Sequence, residues 1–363
     1  MGPEAWFVAP AGSAVVAGVA AWLSGLPLRA AAADPTLAER FHRHRVRLAI
    51  VVAACAVAPL VALQLAHGGG TGPWLVPAAF ACLFVASLGA TVGGYPLRRT
   101  LSGEGNTLPT YLLRSARVVL AMYGFWICVV LLPYLVRATG WPAAVLMGVL
   151  LLFWSRNQPR FVCALLGVEP LHDAEFERIM DRSPATRPLV YSFGTDRGSL
   201  VNAFALPSVR EPRILMSRPL LRDLSPAEAA GVFAHELAHH EDFEAETLRQ
   251  WGWQERAFIV VGALSPLVLA PAVLPYLLWG WPLLLLVSLQ RRTHSMQDRE
   301  RYCDQRAVEL CGDGEAFIRA LEKIHVANHV PRRLTDRAER RSTHPSLASR
   351  VAALQPLKPT DST

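Results

Sequence analysis

Charged residues are scarce in this chain of 363 residues, at 18% of the sequence, whereas hydrophobic residues make up 52%. Soluble globular domains carry about 25% charged residues, and disordered chains are poor in hydrophobic ones. The mean hydropathy is +0.27, and the excess of hydrophobic residues lies in long charge-free runs. The shortage of charge therefore excludes a disordered chain, a coiled coil and an ordinary water-soluble enzyme.

Lysine is almost absent, with only Lys323 and Lys358 among the 36 basic residues. The other basic residues are arginines, and many lie in short segments beside apolar runs, where membrane proteins keep the cations that set their orientation. The net charge of +7 is thus interpreted as a membrane feature, and no nucleic-acid partner is expected. Arginine in place of lysine, with abundant alanine, indicates a GC-rich bacterial genome.

Paired cysteines are also absent, since the six cysteines form no CxxC motif. The first three lie inside apolar runs. The sequence therefore predicts neither a disulfide framework nor a cysteine metal site.

Charge-free runs predict five transmembrane helices in an N-terminal membrane domain, residues 1–156. The runs are 5–28, 48–97, 118–136 and 138–155, and the second is divided by a glycine-rich turn at 67–73. At about 1.5 Å per residue, helices of this length cross a hydrocarbon core of about 30 Å. Arginines cluster after the first and third helices, so the positive-inside rule places the N-terminus outside and the chain after Arg156 in the cytoplasm.

The remaining chain is predicted to form a cytoplasmic α+β domain interrupted by a helical hairpin. Its parts are 157–256, the hairpin 257–290, and 291–363. The hairpin is charge-free and broken near Pro271–Pro275, so each pass has about 16 residues and either crosses the membrane or re-enters it. The fold class is therefore mainly α, a plasma-membrane protein with about seven crossings.

Three short apolar runs precede the hairpin and predict strands. They are 188–193, 199–206 and 213–217, separated by turn-forming segments. The simplest arrangement of these strands is a small antiparallel sheet.

A helix with an HExxH motif follows the strands. Ser225 and Glu228 predict its start through a capping box. His235 and His239 are four residues apart, so both imidazoles lie on one helix face and can bind one metal ion, while Glu236 can reach a metal-bound water. Zinc suits these ligands, and one ion per chain is expected. The alternative is two surface histidines on a capped helix.

A catalytic zinc needs a third protein ligand, and the best candidate lies after the hairpin. Glu300 and Asp304 share a helix face, so Glu300 is assigned as ligand and Asp304 as the carboxylate that holds an imidazole in the correct tautomer. The alternative is a solvated, salt-bridged helix face. Four acidic residues follow His239 too closely to fold back easily and are expected to be exposed helix charges, namely Glu241, Asp242, Glu244 and Glu246.

Together these motifs resemble the HtpX and CaaX prenyl-protease family of integral-membrane zinc metallopeptidases. The resemblance covers about residues 188–354 and rests on ordered pieces. They are the segment 202–205 (NAFA), the HELAHH at 235–240, the hairpin, Glu300 followed by Asp304, and the segment 343–350 (THPSLASR). Residues 1–156 show no matching motif.

The resemblance implies a zincin-like domain and a role for each matching residue. It implies that zinc is bound by His235, His239 and Glu300, and that Glu236 is the general base. It also implies that the substrate lies near a strand containing Asn202, Ala203 and Phe204. His344 is then a fourth ligand or an electrophile, with Arg350 nearby at the substrate. The alternative for His344 is an ordinary loop residue before Pro345.

The sequence thus predicts a membrane-embedded zinc metalloendopeptidase that hydrolyses membrane-associated or cytoplasmic proteins and peptides. The alternative function is a membrane signal-transducing sensor with a metallopeptidase-like domain. A transporter is disfavoured because the apolar runs carry no ionisable residues. Neither the natural substrate nor the oligomeric state follows from the sequence.

Overall fold

The computed structural model describes residues 5–30, 36–66, 75–102, 107–196, 198, 200–243, 245–270, 272–293, 296–339, 342 and 344–355. The chain divides into two compact units. The first, here called the helical unit, is Met1–Gln158 with Trp253–Val287, and the second, the site unit, is Pro159–Gly252 with Ser288–Thr363.

Helices dominate both units. In chain order they are α1 (Ala5–Ala30), α2 (Leu37–Ala66), α3 (Leu75–Ser102), α4 (Leu108–Thr139), α5 (Trp141–Arg156), α6 (Gln158–Leu166), α7 (Ala174–Asp181), α8 (Arg218–Asp223), α9 (Pro226–Asp242), α10 (Ala245–Val268), α11 (Leu274–Thr293), α12 (Met296–Cys311), α13 (Gly314–Ala327), α14 (Asp336–Glu339) and α15 (Leu347–Leu354). The strands are β1 (Glu169–Pro170), β2 (Leu189–Phe193), β3 (Ala203–Leu206) and β4 (Arg213–Ser217).

The four predicted apolar runs of the N-terminal region coincide with five helices, α1 to α5, because the second run contains parts of both α2 and α3. The predicted turn at 67–73 lies outside the described residues. Between α4 and α5 the chain turns at Gly140, whose φ of 82° suits glycine, and Pro142 then fits the first turn of α5. By length and composition, two helices in the described part of the chain suffice to cross a membrane, Pro10–Ala30 and Leu108–Thr139.

Small residues allow α1 and α3 to approach closely. A Cβ atom added to Gly93 would lie 2.0 Å from the carbonyl oxygen of Gly18, and one added to Gly89 would lie 2.1 Å from that of Ala14. Buried alanines complete this contact. Backbone contact of this kind is typical of helix pairs in membranes, where small side chains permit dense van der Waals packing.

The stretch 257–290 lies in two helices, because α10 ends at Val268 and α11 begins at Leu274. These helices pack with α4 and α5 around Trp281, Phe125 and Leu132. The indole nitrogen of Trp281 donates a hydrogen bond to a backbone carbonyl of α4 at 3.1 Å. The polar edge of this buried ring is thus satisfied inside the helical unit.

The sheet of the site unit corrects the sequence prediction. Its order is β1-β2-β4-β3, with β3 antiparallel to β4 but β2 parallel to β4. The predicted all-antiparallel sheet is therefore wrong, and the sheet is mixed. The reason is the strand order: β3 lies at the outer edge of β4 and not between β2 and β4, so the chain reverses direction twice before β4 pairs with β2, and these two strands run the same way.

Helix α9 crosses the centre of the site unit. Its capping box is formed, with Ser225 and Glu228 bonding each other's backbone N–H groups. Residues 228–238 are all buried, and Phe233 stacks on Phe176 at 4.4 Å between ring centroids. Contacts with β3, β4, α12 and α13 fix α9 in this position, and its last turns carry the HExxH residues.

Candidate active site

Two helices bring together the three side chains predicted to bind zinc. His235 and His239 lie one turn apart on α9, and Glu300 lies on α12. The Glu300 carboxylate is 3.6 Å from Nε2 of His235 and 3.5 Å from Nε2 of His239. One donor atom from each residue lies within 4.8 Å of the other two. Glu300 is 1% exposed, so its charge needs a cationic partner.

This donor set fits a zinc ion. Bonds of about 2.0–2.2 Å in a tetrahedral site place neighbouring donor atoms about 3.3–3.6 Å apart, and both carboxylate–imidazole distances agree. Two imidazoles and one carboxylate are also a ligand set of catalytic zinc, which keeps a fourth position open. The three residues are therefore suited to hold one ion.

Glu236 lies on the same helix between the two histidines and is buried. Its Oε2 accepts a hydrogen bond from the backbone N–H of Ala205 in β3 at 2.7 Å. Burial, with help from the charge of Glu300, raises the pKa of the Glu236 carboxyl. A carboxyl with a raised pKa is suited to exchange protons near neutral pH.

Asp304 occupies the position predicted for it, behind His235. Its Oδ1 lies 2.9 Å from Nδ1 of His235, on the side of the ring away from Glu300. Burial opposes the charged form of His235, but the carboxylates of Asp304 and Glu300 together outweigh burial and raise the pKa of His235 to about 9. A carboxylate in this position is suited to orient the imidazole of a metal ligand.

Arg350 lies behind Asp304. The sequence placed it at the substrate, but its guanidinium is buried and donates two hydrogen bonds to Asp304, at 2.8 and 2.5 Å. Burial alone would raise the pKa of Asp304, and the bonds from Arg350 lower it. Arg350 thus holds the carboxylate that lies beside His235, and its contact with a substrate stays a prediction.

Cys303 is a site residue that the sequence analysis missed. Its Sγ lies 3.2 Å from Nδ1 of His239, and the side chain is fully buried. Burial lowers the pKa of His239 to about 3, so this imidazole is neutral. The signal for Cys303 was its spacing, because residues three apart on a helix share a face and Cys303 follows Glu300 by three.

His344 lies beside the carboxylate, with its Nδ1 2.9 Å from Oε2 of Glu300 and its side chain 58% exposed. Two residues hold the loop around it. Gln297 donates to the carbonyls of Glu339 and Ser342, and the Glu339 carboxylate accepts from the backbone N–H of Ser346. His344 therefore lies on the solvent side of the group formed by His235, His239 and Glu300.

The segment 202–204 leads into the edge strand. Ala203 and Phe204 begin β3, and Asn202 exchanges hydrogen bonds with Ser217 just before it. Ala205 in β3 donates a hydrogen bond to Glu236, which lies on α9 between two of the three candidate zinc ligands. The structure thus places this segment on a strand bonded to the HExxH helix.

Glu241 and Asp242 are not simply exposed, which corrects the prediction for these two residues, whereas Glu246 is exposed as expected. Glu244 lies outside the described residues. The Glu241 side chain is 5% exposed and accepts hydrogen bonds from Arg306 and Ser183. Asp242 lies 3.4 Å from Arg299. These contacts join the end of α9 to α12, so they support the placement of Glu300.

An HExxH helix, a carboxylate from a second helix and a buried general-base candidate define a metallopeptidase-type site. Comparison with known proteins identifies the family. The model for Peptidase family M48 matches residues 172–358, more than half of the chain. The chain therefore belongs to peptidase family M48, and the predictions of its family and of a zinc metallopeptidase are confirmed.

Two similar proteins agree with this membership. A protease HtpX homolog of Acidiphilium cryptum (strain JF-5) is 28% identical over 296 residues, covering 69% of this chain and 96% of the relative. The crystal structure of S. mikatae Ste24p superimposes with a TM-score of 0.54 at 15% identity, covering 96% of this chain and 99% of that one. At that identity the second likeness concerns the fold alone.

Proposed function

We propose that this protein is a membrane-embedded zinc endopeptidase whose site faces the cytoplasm and cuts membrane-associated or cytoplasmic proteins and peptides. The observation that carries the proposal is the buried group of His235, His239 and Glu300 with the buried Glu236 beside it. One zinc ion would be held by the two Nε2 atoms and the carboxylate. When bound, zinc supplies a Lewis acid that polarises a peptide carbonyl and makes water acidic.

Glu236 would act as the general base and then as the general acid. Its carboxylate takes a proton from the attacking water and delivers it to the nitrogen of the leaving amine. The raised pKa of Glu236 supports this double role, because a carboxylate with a higher pKa is a stronger base. The Ala205 N–H, which donates to Oε2, keeps the carboxylate directed at the site.

Asp304 and His344 would support the reaction in different ways. Asp304 keeps His235 in the tautomer whose Nε2 is free for the metal. His344 is exposed at the solvent side of the site, where its ring can donate a hydrogen bond to the carbonyl oxygen as negative charge develops there. The alternative role for His344 is a fourth ligand.

The substrate would lie extended along β3. This strand is at the edge of the sheet and pairs with β4 on one side. Its other side carries the bond to Glu236, so a peptide added there would pass the general base. Asn202, Ala203 and Phe204 would then contact the substrate.

The helical unit would lie in the plasma membrane of a bacterium. Helices α1 to α5, α10 and α11 would make about seven crossings, with the N-terminus outside. Large apolar side chains exposed on these helices support this arrangement, because a lipid environment is where such a surface is stable. The arginines after α1 and α3 support the orientation.

The test is to purify the full chain in detergent, measure bound zinc, and follow cleavage of casein. Glu236→Gln should keep about one zinc per chain and lose about 10²–10⁴-fold in rate, since general acid–base catalysis contributes that much. Glu246→Gln is the matched control, because Glu246 is an exposed acid on the next helix. Absence of zinc, or equal cleavage by wild type and Glu236→Gln, would overturn the proposal.

A further inference from the structure

The two histidines of the site are held by different chemistry. Behind His235 lies a carboxylate, Asp304, which is itself bound by Arg350. Behind His239 lies a neutral thiol, Cys303, whose Sγ is 3.2 Å from Nδ1. Each ring is therefore contacted on its Nδ1 side, but by a charged partner in one case and an uncharged partner in the other.

The ring of His239 can use this thiol in only one way when its other nitrogen binds a metal. Nε2 faces Glu300 at 3.5 Å, so Nε2 is the metal-facing nitrogen. A neutral imidazole that binds a metal through Nε2 carries its proton on Nδ1. Nδ1 is then the donor, and the sulfur of Cys303 is the acceptor.

Cys303 is well placed to orient the ring but badly placed to bind the ion. Its sulfur contacts Nδ1, on the far side of the imidazole from the three donor atoms of the site. The thiol lies on α12, one helical turn after Glu300, so the helix that supplies the third ligand also contacts the second.

We propose that Cys303 is a positioning residue, which sets the tautomer and rotation of His239 by accepting a hydrogen bond from Nδ1. The inference rests on the zinc site of the proposed function. A neutral acceptor orients the ring without adding another negative charge to a pocket that already holds Glu300, Asp304 and Glu236. Orienting partners of metal-binding histidines typically contribute 10–100-fold to metal affinity.

The test separates hydrogen bonding from packing by substitution at one position. Cys303→Ser retains an acceptor, whereas Cys303→Val fills the space without one. Cys311→Val is the matched control, because Cys311 lies on the same helix and its sulfur donates to the backbone carbonyls of Val308 and Asp313. Zinc affinity is measured on the full chain in detergent by competition with a chromophoric chelator, and the visible spectrum of the Co²⁺-loaded protein reports ligand geometry.

Cys303→Val should bind zinc about 10–100-fold more weakly than wild type and show an altered Co²⁺ spectrum. Cys303→Ser should restore most of the affinity, and Cys311→Val should match wild type. Thermal unfolding of the metal-free proteins checks that Cys303→Val still folds.

Two results would overturn the inference. One is wild-type affinity and spectrum in Cys303→Val, and the other is an equal loss in the Ser and Val variants, which would make the role one of packing. Failure of the wild type to bind zinc is a different result, because it would remove the proposed function itself.

Discussion

In the helical unit the contact between α1 and α3 consists of glycines and alanines, while many large apolar side chains are exposed. Val15, Trp141, Leu146, Val268 and Leu283 are each more than 60% exposed. Large side chains fill the core of the site unit, and they also fill a core around Trp281 in the helical unit, which is separate from the contact between α1 and α3. In the site unit Phe233, Leu237 and Phe317 are fully buried.

The difference agrees with the solvent proposed for each unit. Water drives large apolar side chains inward, because burial of their surface is favourable. Lipid tails give no such drive, so helices in a bilayer associate through small residues that let backbones approach. The comparison therefore supports a lipid environment for the helical unit and an aqueous one for the site unit.

The largest effect on stability is expected where the site unit buries charge. Arg350→Ala removes both donors from the buried Asp304 carboxylate, and an uncompensated buried charge costs about 3–5 kcal/mol. Arg301→Ala is the control, because Arg301 forms an exposed ion pair with Asp298, a kind worth about 0–1 kcal/mol. Thermal unfolding of the purified variants measures both. Similar unfolding temperatures for the two variants would mean that the contact between Arg350 and Asp304 does not stabilise the site unit.

A smaller effect is expected from a methyl group between α1 and α3. Gly93→Ala would place its Cβ 2.0 Å from the Gly18 carbonyl oxygen, so the helices must separate, at a cost of about 1–3 kcal/mol. Gly94→Ala is an adjacent control, since nothing lies within 4 Å of its Cβ and alanine favours helix by up to about 1 kcal/mol. The unfolding temperature in detergent should fall for the first variant only. Equal unfolding temperatures for the two variants would mean that close packing of small residues does not stabilise the helical unit.

The smallest effect concerns a buried acid at the start of α9. Burial would raise the pKa of Glu228, but Lys323, at 2.6 Å, and the capping N–H of Ser225 lower it below its usual value of 4.5. A lowered pKa in the folded state contributes stability above pH 4.5 that is lost as the pH falls through the folded value. Unfolding free energy measured from about pH 3 to pH 7 should therefore fall more steeply at the acid end for wild type than for Glu228→Gln. If the unfolding free energies of wild type and Glu228→Gln change with pH in the same way, Glu228 does not stabilise the folded state through its charge.

Much of the local structure was predictable, because it depends on residues close in sequence. The capping residues Ser225 and Glu228 predicted the start of α9, and the four-residue spacing predicted that His235 and His239 share a face. The three strands were also predicted, since their alternating runs are local. The functional roles of the site residues, and the domain boundaries, stay predictions.

The partners of these residues were harder to predict. The spacing of Glu300 and Asp304 indicated one helix face, but it could not assign Asp304 to His235 and Cys303 to His239. Nor did the sequence predict that Arg350 binds Asp304. Such pairings depend on how α9, α12 and α15 pack, and a helical period in each segment carries no information on the angle between segments.

The sequence by itself determined the membrane character expected from its apolar runs, the HExxH chemistry and the class of enzyme, because composition and helical spacing are properties of the chain alone. Only the tertiary structure decided the parallel pairing of β2 with β4, the edge position of β3 beside Glu236, and the thiol behind His239. The physical reason is that these features arise where distant segments compete to bury the same surface, and that competition is resolved only by packing of the whole unit.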